Sequence, residues 1–360
     1  MTATLVADPP PRMPRPVPSP AQIPPLLAGP GRVLVTGGAG FVGSHLVGEL
    51  LCRGHRVRVV DDLSTGSLGN LAEWQDDPRV DVVVASIDDP QVAARACDGV
   101  LAAFHLAGAV GVARLAARPL EMIRRNLRGT EELLAAAAAR GVPVLFTSSS
   151  EVYGDGPVPF VESEAVRPGS TEGSRGGYAC AKLMGEWLAF GHRHEQGLPV
   201  VVARLFNTVG PRQSGESGMV LPRFVAQALA GQPLTVYGDG RQTRCFAHVR
   251  DVVRALVDLA EVPGAAGRVY NVGSDRETTV LALAELVQRE VGAEFPAAIE
   301  LRPWASVFPP GFVDPPRRAP CLQRLRAAIG WAPATPGEAI VRELVALGRA
   351  GRLPLAAALG

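Results

Sequence analysis

Arg32-Val-Leu-Val-Thr-Gly-Gly-Ala-Gly-Phe-Val-Gly43 decides the fold of this chain. Residues 32–36 read as a short buried strand, and glycines follow at 37, 38, 40 and 43. Phe41 to Cys52 then carries the spacing of a helix. A strand that enters a glycine turn and leaves as a helix is the unit that binds dinucleotides. Glycine supplies positive φ, lets the backbone approach a pyrophosphate and packs helix on strand. The helix N-terminus then offers free N–H groups to the phosphates.

Working outward, a second strand at 57–61 ends in Asp61, eighteen residues after Gly43. A carboxylate at that place hydrogen-bonds the adenosine ribose. Asp62 follows, and 59–70 contains neither Lys nor Arg, so a 2′-phosphate is repelled and NAD is expected over NADP. Further strands are expected at 80–85, 101–106, 144–148 and 200–206, with helices at 119–140 and 178–196. This alternation predicts an α/β fold, a Rossmann-type doubly wound parallel sheet covered on both faces.

After Phe206 the alternation weakens. Helices are expected near 221–230, 249–261 and 279–291, and strands at 234–238, 269–272 and 298–302. A proline-rich loop and two short helices close the chain. The expected organisation is an NAD-binding domain over 31–206, with 236–272 rejoining it. Residues 207–235 and 273–348 form a smaller, discontinuous C-terminal substrate domain. Residues 1–30 contain ten prolines and read as a disordered tail without a signal-peptide pattern.

The formal net charge is +1, and no apolar run is long enough to span a bilayer. Bulk electrostatics therefore point to neither nucleic acid nor membrane, and any anion site must be local. Five scattered cysteines and six histidines form no CxxC or HExxH pattern, so neither a metal site nor a disulfide framework is expected. A reducing cytoplasm fits. His192 and His194 read as a solvated helix end.

The catalytic pair is Tyr178-Ala-Cys-Ala-Lys182. Four residues apart on a helix, the two side chains share a face. A free tyrosine, with a pKa of roughly 10, is a poor base at neutral pH. A nearby ammonium favours its phenolate. Lys182 is also the only lysine among 36 basic residues, in a chain that otherwise uses arginine throughout. Upstream, Thr147-Ser-Ser-Ser-Glu-Val-Tyr-Gly154 sits at the C-terminal end of a strand, where ligands bind in open α/β sheets. Ser149 and Ser150 offer hydroxyls to a substrate, and Glu151 offers a general acid or base.

These segments, with DDLSTG, HLAG, NLRGT, RLFNTVGPR, LTVYGDGRQTR and PRRAP, resemble the extended short-chain dehydrogenase/reductase family over about 31–335. The resemblance implies a nucleotide-sugar enzyme with tightly held NAD. It also implies a homodimer joined through a four-helix interface built by the helices at 119–140 and 178–196. The cofactor set it implies is Gly37, Gly40, Phe41, Val42, Gly43, Asp61, Asp62, Ser86, Ile87, Leu106, Asn126, Thr147, Tyr178 and Lys182. Asn207, Arg212 and Arg244 would hold the UDP phosphates or the sugar. Arg318, with Arg317 beside it, matches an arginine implicated in decarboxylation. Two positions depart from the pattern: Ser86 replaces an aspartate near the adenine, and Gly176-Gly177 replace bulkier residues.

Within the family the chain resembles UDP-glucuronate decarboxylases and some bacterial UDP-glucose 4-epimerases. Glu151 matches the decarboxylases, while Ser149 replaces their threonine. The implied reaction is decarboxylation of UDP-glucuronate through a 4-ketone, giving UDP-xylose, UDP-4-keto-pentose or both. Ser149 lacks the methyl that restricts a threonine rotamer, so early escape of the ketone is expected. The alternatives are a UDP-hexose 4-epimerase and, in another class, a non-catalytic NAD-binding regulatory protein.

Overall fold

Strand β1 (Arg32–Thr36) is flanked on one side by β2 (Arg56–Asp61) and on the other by β4 (Ala102–His105). This computed structural model describes residues 23–111, 118–169, 171, 176–214, 219–293, 297–306 and 314–353. Beyond β2 lies β3 (Val80–Val84); beyond β4 come β5 (Val144–Ser149), β6 (Val200–Leu205) and β11 (Arg268–Val272). All seven strands are parallel. The chain winds outward in opposite directions from β1 and from β4, and a crevice opens where their C-terminal ends diverge.

The apolar pattern of β1 explains the two layers. Val33 and Val35 face one core, with helices Phe41–Cys52 and Val249–Glu261. Leu34 faces the other core, with helices Pro119–Arg140 and Gly176–Gln196. Alternate residues of a strand point to opposite faces, so a continuous apolar run serves a sheet buried on both sides.

A smaller unit follows. Strand β8 (Leu234–Tyr237) pairs in parallel with β13 (Ile299–Arg302). Helices Val220–Leu229, Val280–Val291 and Gly337–Arg349 share a separate core with β8. Between the units lie short strands. β7 (Thr208–Val209) pairs with β10 (Ala247–His248). β9 (Thr243–Cys245) runs between β12 (Glu277–Thr279) and β14 (Arg317–Arg318).

Two expectations are corrected. The tail reading of 1–30 fails for its last residues: Ile23, Leu26 and Leu27 are buried in the core beside Val249–Glu261. The Leu27 amide donates to the Ala260 carbonyl at 2.9 Å, and the Gly264 amide to the Ile23 carbonyl at 3.0 Å. Prolines remove periodicity without preventing an extended segment from burying apolar side chains. The segment expected to rejoin the main sheet from residue 236 does so later. Tyr237 belongs to β8 of the smaller unit; the return comes with Val249–Glu261 and β11. Among the described residues no helix is long and apolar enough to cross a membrane, and no group of His, Cys, Asp and Glu could hold a metal ion.

Candidate active site

The glycine turn forms the floor of the crevice. Gly37 takes φ +71°, and a Cβ there would meet the Ala107 amide nitrogen at 2.7 Å. A Cβ on Gly43 would run into the Gly37 carbonyl oxygen, so helix and turn touch only because both residues are bare. The helix Phe41–Cys52 starts with no capping side chain and no acidic residue in its first turn. Its first N–H groups are therefore available to a diphosphate.

Asp61 stands at the end of β2. Its Oδ2 accepts the Ala39 amide at 2.9 Å and its Oδ1 accepts the Leu63 amide at 2.9 Å. Burial raises its carboxyl above the usual range against the pull of those amides. The carboxylate thus braces the turn and keeps lone pairs for a ribose hydroxyl. Asp62 beside it accepts from Arg125 at 2.9 Å. Phe41, Val42, Ser86, Ile87 and Leu106 line the same crevice.

At the other end are the catalytic candidates. Helix Gly176–Gln196 brings Tyr178 and Lys182 to the crevice beside Ser149. Lys182 Nζ is buried, donates to the Thr147 carbonyl at 3.0 Å and lies 5.1 Å from the Phe146 ring centre. Burial pulls its ammonium down to about 8, against the raising effect of Glu186. Tyr178 differs from expectation. Burial holds its phenol above the ordinary range; the Ser149 hydrogen bond lowers it, and the Glu151 charge raises it further.

A buried relay fixes Asn126. Thr130 Oγ1 donates to the Asn126 carbonyl at 2.7 Å, so it accepts from His105 Nε2 at 3.1 Å. His105 Nδ1 then accepts from Thr36 Oγ1 at 2.7 Å. This assignment makes His105 a neutral imidazole, and burial pulls it down to about 3. Asn126 Nδ2 donates to the carbonyls of Met122 and Ala109, at 2.8 and 3.0 Å. Its Oδ1 is buried with no partner among the described residues. A Cβ on Gly108 would come within 2.5 Å of that Oδ1 and 3.3 Å of Lys182 Nζ, so only glycine leaves the space between them open.

The anion-binding candidates separate into three groups. Arg318 and Arg244 are register partners on β14 and β9, and both are buried. Arg318 grips Glu151 at 2.5 and 2.7 Å, while Arg244 pairs with Asp314. Arg317, their neighbour, points to an exposed pair with Glu277 at 2.6 Å and is not brought into the crevice. Arg212 takes φ +68°, lies over the Trp74 ring at 5.1 Å and lines the cofactor crevice. Asn207 donates to the Cys245 carbonyl at 3.4 Å, and Ser150 is buried beside Glu151.

One network escaped the sequence reading. Ser148 Oγ donates to Glu186 Oε1 at 2.5 Å, and Arg204 grips the same carboxylate at 2.9 and 2.7 Å. Arg204 also stacks over Tyr153 at 4.6 Å, whose hydroxyl donates to Asn271 at 2.7 Å. The signal was present: Glu186 follows Lys182 by one helical turn.

This geometry fits a bound dinucleotide: uncapped helix amides, a bare glycine floor, and polar groups converging where a nicotinamide would meet a sugar. The profile of the NAD dependent epimerase/dehydratase family matches residues 33–273. A UDP-N-acetyl-alpha-D-glucosaminuronate decarboxylase of Bacillus cytotoxicus is 36% identical over 315 residues, 87% of this chain and 96% of the relative. UDP-glucuronic acid decarboxylase 1 of Arabidopsis thaliana is 37% identical over 306 residues, 84% of this chain and 66% of the relative. A dTDP-glucose 4,6-dehydratase of Streptomyces venezuelae, solved with NAD bound, superposes with a TM-score of 0.80 at 31% identity, covering 89% of this chain and 98% of that one. Glycine turn, Tyr178–Lys182 pair and parallel sheet thus stand together in one recognisable arrangement, and the chain belongs to the NAD dependent epimerase/dehydratase family, the extended short-chain dehydrogenase/reductases, with NAD as its cofactor.

Proposed function

We propose that the protein decarboxylates UDP-glucuronate through a 4-keto intermediate. The observation that carries this reading is the part-buried fork of Arg318 on Glu151, close enough for the Glu151 charge to act on Tyr178. Relatives of similar sequence are named as decarboxylases of UDP-linked uronic acids, which supports it.

Bound NAD would accept a hydride from C4 of the sugar, and its cationic ring would add positive charge to the site. Tyr178 takes the C4 hydroxyl proton, with Ser149 as its hydrogen-bond partner. Lys182 holds positive charge against the Thr147 carbonyl and favours the phenolate. The C4 ketone stands β to the C5 carboxylate, so breaking the C5–C6 bond releases carbon dioxide and leaves an enolate. Glu151, held by Arg318, orders the acid that protonates C5. Hydride given back by the reduced cofactor would yield UDP-xylose with no net redox change; escape of the ketone before that would leave UDP-4-keto-pentose and one equivalent of NADH. Arg244 is the candidate for the diphosphate, since an arginine fork matches phosphate oxygens.

The test is incubation of the full chain with UDP-glucuronate, UDP-N-acetylglucosaminuronate, UDP-glucose and UDP-galactose separately, with products read by mass spectrometry. Loss of carbon dioxide from UDP-glucuronate is expected. Interconversion of the two neutral hexoses without decarboxylation would establish the epimerase instead, and bound NAD without any turnover the regulatory protein.

The same reading includes a homodimer. Leu120, Met184 and Trp187 stand 57%, 51% and 68% exposed on helices Pro119–Arg140 and Gly176–Gln196, which pack side by side. Two such pairs would make a four-helix interface covering these apolar side chains. A monomeric mass in solution refutes it.

A further inference from the structure

The crevice contains a cation that the local sequence around β2 did not reveal. Residues 59–70 hold no Lys or Arg, yet Arg125 arrives there from helix Pro119–Arg140, 63 residues away from Asp62 in sequence. Arg125 and Gly129, one turn apart on that helix, line the crevice together with Asp62, Ser64 and Ile87. This is the adenosine end, because Asp61 closes β2 beside the glycine turn.

We propose that Asp62 and Arg125 together set the choice of NAD over NADP: Asp62 engages, in an ion pair, a guanidinium that would otherwise receive a 2′-phosphate. The two carboxylates at the end of β2 have divided tasks. Asp61 takes one backbone amide on each oxygen, from Ala39 and Leu63, braces the turn and keeps acceptor capacity for the ribose. Asp62 accepts the Ser64 amide on Oδ1 at 2.9 Å and Arg125 Nη1 on Oδ2 at 2.9 Å. Arg125 also reaches Glu121, one turn earlier, but at 3.4 Å from a more exposed carboxylate. Burial alone would raise the Asp62 carboxyl; the Ser64 hydrogen bonds and the Arg125 charge outweigh it and hold it below the ordinary range.

A 2′-phosphate brings nearly two negative charges. To bind here it must take Arg125 from Asp62 and then sit beside the uncompensated Asp62 carboxylate as well as Asp61. A ribose hydroxyl asks for neither exchange. The neutral isostere at position 62 isolates the effect. Asp62→Asn keeps an oxygen for the Ser64 amide and so keeps the turn, while it removes the charge and releases Arg125.

The experiment equilibrates the full chain and its variants with equal concentrations of NAD and NADP. Protein and free nucleotide are separated, and the bound nucleotides are released and quantified by chromatography. The bound NADP to NAD ratio is expected to rise at least about tenfold in Asp62→Asn, as for loss of a charge-assisted bond of ordinary strength. Asp62→Asn with Arg125→Ala is expected to return to the wild-type ratio, and Arg125→Ala alone to fall below it. An unchanged ratio in Asp62→Asn overturns the proposal. So does a gain that persists without Arg125, or loss of both nucleotides, which would make Asp62 a structural residue only. The readout uses no sugar nucleotide, so it stands apart from the proposed decarboxylation.

Discussion

Arg318 holds Glu151 by both carboxylate oxygens, with Nη1 on Oε1 at 2.5 Å and Nη2 on Oε2 at 2.7 Å. The pair joins β14, in the last part of the chain, to the short 3-10 turn Ser150–Tyr153 after β5. A bidentate fork fixes the carboxylate plane as well as its distance. Arg318 Nε is buried and unpartnered among the described residues, so the fork retains one donor. Glu151 is therefore an oriented group, and its orientation depends on a residue of the short strands between the two units.

That dependence makes the first prediction. Glu151→Gln keeps the shape and removes the charge and proton capacity. Turnover of UDP-glucuronate to carbon dioxide is expected to fall by at least about a hundredfold, the usual scale for losing a general acid or base. Oxidation at C4 uses Tyr178 and Lys182, so NADH absorbance is expected to persist in a single turnover and decay slowly. Arg318→Lys should share the defect, because one ammonium cannot hold both oxygens. Turnover near the wild-type rate in Glu151→Gln would remove Glu151 from the chemistry.

The parts legible in the sequence are those with short range. The glycine turn, Asp61, and the Tyr178–Lys182 spacing sit within one βα unit or one helical turn, where periodicity speaks directly. The unread parts are pairings made by folding. Glu151 and Arg318 lie 167 residues apart, and Asp62 and Arg125 63 apart. Reading 59–70 for basic residues therefore gave the right expectation for the cofactor and missed the cation that stands there. The tail was misread for a related reason. Ile23, Leu26 and Leu27 carry no periodicity between prolines, and only contact with Val249–Glu261 shows that they are core.

The second prediction concerns pH. Burial brings Lys182 down to about 8. The group is a cation below that value and is neutral above it. If its charge favours the Tyr178 phenolate, kcat/KM on UDP-glucuronate must decline as pH rises through about 8. Lys182→Arg keeps a cation at every accessible pH. Its activity is expected to be at least about a hundredfold lower, because a planar fork replaces a point charge set against the Thr147 carbonyl. What remains should lack the alkaline decline. A decline still centred near 8 in Lys182→Arg would assign it to another group.

The third prediction tests the network beneath that lysine. Glu186 and Arg204 are each 5% exposed at the side chain, and the carboxylate serves Arg204 and Ser148 at once. Taking both charges out of water costs about as much as their attraction returns, but removing one leaves the other uncompensated. Glu186→Ala is expected to lose about 3–5 kcal/mol in urea unfolding. Glu186→Leu with Arg204→Met removes both charges and keeps most of the volume, and it should recover much of that loss, with a coupling energy of about 2–3 kcal/mol. Additive losses would show that packing, not charge, is what the pair supplies. The double variant then separates stability from chemistry. Glu186 raises Lys182 against the pull of burial, so without it the lysine gives up its proton at lower pH. A folded double variant should show the alkaline decline of kcat/KM below pH 8. If the decline stays where it was, Glu186 holds β5 and β6 together at Ser148 and Arg204 and has no electrostatic hand in the reaction.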